Sequence, residues 1–204
     1  MIKQKHLRVA LLVAAISSVG VASANLVTNG SFEEIAIANN TYLTVTPGNA
    51  STNLPGWTVT GTSVDIVSGP DTWPAYDGNQ SIDIAGTPGP GAVQQTIATT
   101  AGEWYLIEFA LGDNYQGTGD KSVDFTFGNY TENIAGAIGQ GNWLLVSRYV
   151  QADSAATLLE FSTDNAGFYG GLVDAVTVTA VPEPATMAVL GLGAAALMRR
   201  RRRK

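Results

Sequence analysis

GEWYLIEFALGDN, residues 102–114, is the stretch on which the fold turns. Tyr105, Ile107 and Phe109 alternate with Leu106 and Glu108, the period of two that a half-buried β-strand needs. Gly112-Asp113-Asn114 then supplies a turn. Outward from this run the pattern repeats. Val123, Phe125 and Phe127 alternate with Asp124 and Thr126, while Leu172, Asp174, Val176 and Val178 share one parity against Val173, Ala175, Thr177 and Thr179. Shorter runs at Trp57–Thr60, Val64–Val67, Ser81–Ile84, Ala92–Ile97, Trp143–Val150 and Thr157–Phe161 bring the total to nine. Ser68-Gly69-Pro70 and Pro88-Gly89-Pro90-Gly91 punctuate them. No long apolar run of helical period appears between Asn25 and Ala180. The expectation is an all-β, two-sheet antiparallel jelly-roll sandwich.

Both ends of the chain read differently from this domain. Lys3, Lys5 and Arg8, a charge-free stretch from Val9 to Val21, and Ala22-Ser23-Ala24 have the build of a secretory signal peptide over residues 1–24. At the other end, Val181-Pro182-Glu183-Pro184 precedes fourteen uncharged residues, Ala185 to Met198, and then Arg199 to Lys204, all basic. Fourteen residues are marginal for a hydrocarbon core of about 30 Å. The basic cluster stays cytoplasmic, and its long stems snorkel. The segment 181–204 therefore reads as a stop-transfer tail, held transiently at the inner membrane. VPEPATMAVLGLGAAALMRRRRRK resembles a PEP-CTERM sorting signal with Pro182, Glu183 and Pro184 as its motif. The resemblance implies a Gram-negative, exopolysaccharide-producing bacterium. It also implies an exosortase that processes the tail and delivers the protein to the cell surface or extracellular matrix.

Composition excludes several chemistries. The terminal segments hold nine of the eleven basic residues, so residues 25–180 keep Lys121 and Arg148 against sixteen acids, a net of −14. Such a domain repels nucleic acid and anionic surfaces. Cysteine is absent, and the single histidine, His6, leaves with the signal peptide. Thiolate nucleophiles, imidazole bases and Ser-His-Asp triads are thereby excluded from the mature protein. No pair among the sixteen acids is singled out as a hydrolytic dyad, so the domain reads as non-catalytic.

NLVTNGSFEE at 25–34 followed by Gly56-Trp57 is similar to the opening of galactose-binding-like jelly-roll domains, carbohydrate-binding modules among them. VDIVSG, DTWPAYDGNQSIDIAG, the run through residue 114 and GLVDAVTV follow in the order of the choice-of-anchor C family, which the chain resembles over nearly the whole domain. The resemblance implies one structural Ca²⁺ held by Glu33 and Asp174, with Ala175 standing where relatives often carry a second Asp. Oxygen donors of that kind suit a hard cation. Asp174 also shares parity with Leu172 and Val176, which points to an inward carboxylate in need of a partner.

Aromatic rings pack on the apolar faces of sugars. Trp57, Trp104 and Trp143 stand at strand starts and read as core. Trp73 and Tyr76 lie in the loop GPDTWPAYDGNQ beside Asp71, Asp77 and Asn79, and Tyr115 lies in a second loop. These six are the candidate carbohydrate-binding residues. The functional expectation is a carbohydrate-binding module that associates with exopolysaccharide or cell-wall glycan. The alternatives are a structural or adhesive matrix protein acting through protein–protein contacts and, third, a glycoside-active enzyme.

Overall fold

The computed structural model describes residues 24–118, 121–164 and 167–182. Its strands are β1 (Thr41–Val45), β2 (Thr58–Gly61), β3 (Val64–Ser68), β4 (Gln80–Asp83), β5 (Gly91–Ala98), β6 (Trp104–Asp113), β7 (Ser122–Phe127), β8 (Tyr130–Ala135), β9 (Leu144–Gln151), β10 (Ala156–Ser162) and β11 (Gly171–Val181). A one-turn helix, α1 (Ala50–Asn53), follows β1. The six-stranded sheet runs β1-β3-β4-β11-β6-β9 and the five-stranded sheet β2-β5-β10-β7-β8, with every pairing antiparallel. This is the expected two-sheet sandwich, with β1 and β8 added at sheet edges. Ser23–Val181 forms one compact unit.

Alternation places one side of each strand between the sheets. Tyr105, Ile107, Phe109 and Leu111 of β6 meet Val123, Phe125 and Phe127 of β7 and Leu159 and Phe161 of β10 in the main core. Phe109 packs at 4.9 Å from both Phe125 and Phe161, ring centre to ring centre. Trp57 lies in the same core, on Phe32 at 5.4 Å, as expected of it. Along one side the sandwich is closed by an ion pair: Arg148 of β9 donates to both carboxylate oxygens of Glu132 on β8, at 2.6 and 2.7 Å. That pairing holds the Glu132 carboxyl down at about 2.

Trp104 departs from the expectation. It heads β6 with the parity of Leu106 and Glu108, so it faces away from the core and is 48% exposed. The parity read for β11 is also corrected. Ala175 has φ +52, and the register with β6 shifts between Asp174 and Thr177, a β-bulge. The extra residue changes which side faces inward. Val173, Val176 and Val178 join the main core, whereas Leu172 sits on the opposite face with Val67 and Trp73. Asp174 is nonetheless fully buried, because the 70–79 loop covers it.

The expected signal peptide up to residue 23, the sorting motif at Glu183 and Pro184 and the apolar tail lie outside the described residues. No helix among the described residues is long and apolar enough to cross a membrane.

Candidate functional site

The 70–79 loop is held from below by carboxylates. Asp174 Oδ2 accepts the Tyr76 and Asp77 N–H groups at 2.9 Å each, and Oδ1 accepts the Ala175 N–H at 2.6 Å. Burial pushes the Asp174 carboxyl up to about 7 against the pull of those donors. Glu33 Oε1 accepts the Asn79 and Gln80 N–H groups at 2.7 and 2.6 Å. Gly78, with φ +71, passes so close that a Cβ there would lie 2.6 Å from Glu33 Oε1. Gln80, which the sequence reading did not single out, donates to the carbonyls of Phe32 and Ile35 and accepts the Ile37 N–H, tying the 32–37 segment to β4.

The structure moves Trp73 out of the candidate ligand set as an exposed platform. It is 8% exposed, packs with Val67 and Leu172, and donates its indole N–H to Asn114 Oδ1 at 3.2 Å. Val67 and Leu172 leave an apolar patch on the sheet that the indole covers. Asn114 in turn donates to Asp83 Oδ2 at 2.7 Å, so the loop is linked to a buried carboxylate of β4. Trp143, half-buried rather than core, packs against this cluster and donates to the Pro74 carbonyl. Asp71 is exposed and accepts from Asn40, while Asp77 accepts the Ser31 hydroxyl at 2.8 Å. Asn79 serves through its backbone. Tyr115 is 40% exposed in the loop after β6 and does not line the hollow beside Tyr76.

That hollow opens on the outer face of β11, β6 and β9. It encloses about 270 Å³ between Tyr76, Glu108, Ala110, Leu145, Ser147 and Thr177. Register aligns the face in rows: Glu108 stands between Ser147 and Thr177, Leu106 between Tyr149 and Thr179, and Trp104 between Gln151 and Val181. Tyr149 is 63% exposed, Leu145 62% and Tyr76 47%. From the Ala110 row to Trp104 is six residues, about 20 Å of strand at roughly 3.3 Å each. Tyr76 is steadied edge-on by Trp143 at 6.2 Å. The sequence reading missed Trp104, Glu108, Ser147 and Tyr149. Their signal was present as the second parity of β6 and β9, apolar and aromatic where a solvated face is usually polar.

Over residues 25–179 the chain matches a family model described as "Protein of unknown function (DUF642)". The chain belongs to the DUF642 family. Residues 180–203 match the PEP-CTERM protein-sorting motif, which implies export. Halomucin of Haloquadratum walsbyi (strain DSM 16790 / HBSQ001) is 32% identical over 180 residues, 84% of this chain. The chain spans about 2% of Halomucin's length. Among solved structures, the DUF642 domain is similar to TmCBM61 in complex with β-1,4-galactotriose, with a TM-score of 0.56 and 14% identity over 78% of this chain and 100% of that one. What the two share is the fold, that of a carbohydrate-binding module.

Glu33 and Asp174 converge on one loop, but each already accepts backbone N–H donors. Among the described residues no three His, Cys, Asp or Glu side chains gather as a metal-holding group. Glu33 Oε2 stays outside these bonds. The donor set suits a hard cation only if backbone carbonyls complete it.

Proposed function

We propose that the DUF642 domain is a non-catalytic carbohydrate-binding module of the cell surface or extracellular matrix, associated with exopolysaccharide and delivered through exosortase processing of its tail. The outer face of β11, β6 and β9 is the binding surface. One observation carries this reading: three aromatic rings, Trp104, Tyr149 and Tyr76, are exposed along a face whose intervening positions carry Glu108, Ser147, Thr177 and Thr179. Rings take the apolar faces of sugars and the polar groups between them take hydroxyls. A soluble domain rarely leaves such a patch bare without a partner. The fold shared with TmCBM61 favours the same class. The proposal includes one structural Ca²⁺ beside Glu33 and Asp174. It is supported by a buried carboxylate that no basic side chain approaches among the described residues, since Lys121 donates to the Tyr169 carbonyl and Arg148 to Glu132.

A glycan array probed with the purified protein and with Tyr149→Ala tests the face. Binding that Tyr149→Ala abolishes, with thermal stability unchanged, supports the reading. An array without binders, together with concentration-dependent self-association weakened by the same substitution, would favour the structural matrix reading instead.

A further inference from the structure

Among the described residues that line the hollow, Glu108 is the one carboxylate. Its Oε1 accepts the Ser147 hydroxyl at 2.9 Å, which fixes the carboxylate and leaves its second oxygen outside that bond. Neither described basic side chain of the domain serves it: Arg148 is engaged by Glu132 and Lys121 by the Tyr169 carbonyl. The Tyr76 ring lines the same hollow, held in place by its backbone bond to Asp174 and its edge contact with Trp143.

We propose that this hollow recognises a protonated amine, so that the ligand of the face is a polysaccharide containing amino sugars with free amino groups; the inference rests on the carbohydrate-binding reading of the same face. An anchored carboxylate beside an aromatic ring is the pairing that suits an ammonium. One group supplies a charge-assisted hydrogen bond and the other its negative π face. A neutral hydroxyl would use the carboxylate but not the cation–π contact. An anionic sugar would meet Glu108 and a domain of net −14, and would be repelled by both. The hollow, about 270 Å³ and open to solvent on one side, is small beside the roughly 300–1,000 Å³ of drug-sized sites and suits a single sugar unit. Neighbouring units reach Tyr149 about 7 Å and Trp104 about 13 Å further along the strands. Hydroxyls of Ser147 and Thr177 flank Glu108 on either side by register.

The test is isothermal titration calorimetry of the full chain with three probes: a β-1,4-linked glucosamine tetramer, its fully N-acetylated counterpart and cellotetraose. The free-amine tetramer is expected to bind about tenfold or more tightly than the other two, the scale of one hydrogen bond to a charged partner. Glu108→Gln should remove that preference. Glu160→Gln, an equal loss of charge on the outward parity of β10 in the other sheet, should retain it, which separates the hollow from general attraction to an acidic domain. Glu108 is exposed, so a melting curve of Glu108→Gln matching wild type confirms that the fold is intact. Equal affinity for all three probes, or a preference that survives Glu108→Gln, overturns the amine. If the neutral tetramers bind and Tyr149→Ala weakens them, the face still binds carbohydrate and only the amine inference falls. If no tetramer binds, the amine inference falls, and the glycan array alone decides the carbohydrate reading.

Discussion

Replacing Trp73 with alanine should cost stability before it costs binding. The indole is 8% exposed against Val67 and Leu172, meets Tyr42 edge-on at 6.5 Å, and donates to Asn114. Truncating a buried Trp typically costs about 3–5 kcal/mol. Two features place this one near the lower bound, at about 3 kcal/mol. The cluster is a satellite outside the main core, and Asn114 Oδ1 also accepts the Gln116 N–H, so losing the indole does not orphan it. For a domain of this size each kcal/mol shifts Tm by about 2–4 °C, so the expected fall is about 6–12 °C. Differential scanning calorimetry of Trp73→Ala beside Trp104→Ala is the assay. Trp104 is half exposed, and its loss should move Tm by no more than about 2 °C while weakening glycan binding. The reasoning is refuted if Trp73→Ala melts with wild type, or if Trp104→Ala unfolds the domain and leaves binding unchanged.

Three further expectations follow from the buried layer. Burial pushes Asp83 up to about 7 and also raises Asp65, its direct cross-strand partner. A folded-state value above the unfolded one means the native state holds more protons between about pH 4 and 7, so stability is greatest in acid and falls as pH rises through 7. Holding the Asp83 carboxyl at about 7 rather than in the ordinary carboxylate range corresponds to at most about 4 kcal/mol. Urea melts at pH 5 and pH 8 in chelator check this, and an equal or higher midpoint at pH 8 contradicts it. If Ca²⁺ is bound beside Glu33 and Asp174, chelation should lower stability by about 2.7 kcal/mol relative to a hundredfold excess of ion over Kd. Superimposable calorimetric transitions would remove the ion from the proposal. Ala175→Gly should stabilise by about 1 kcal/mol by relieving φ +52, read as a raised urea midpoint at unchanged slope, and a lowered midpoint refutes it.

The sandwich was legible because apolar alternation is a direct consequence of strands with one face buried, and β6 and β7 carry it without interruption. Trp73 was misplaced because loop composition reports polarity along the chain, whereas its burial depends on Val67 and Leu172, drawn together from distant strands. The inward side of β11 was misread because a bulge at a non-glycine residue leaves no trace in the sequence. Glu33 and Asp174 stood out in the sequence only as candidate ligands of a Ca²⁺ ion. That each would grip backbone amides of one loop depends on tertiary geometry. The proposed binding face lies in the outward parity of β6 and β9, residues that a search for core passes over.

The bulge at Ala175 makes β11 serve two different layers. Before it, the outward side chains Leu172 and Asp174 lie under a roof of loop; after it, Thr177 and Thr179 floor an open face. A single residue thus acts as a phase shifter between a covered half and a working half of one strand. Straightening the strand with every residue kept would rotate Val176 and Val178 outward and drive Thr177 and Thr179 into the core, since side chains alternate with each residue. The two halves of β11 keep their different facings because the bulge absorbs one residue more than β6 supplies opposite it.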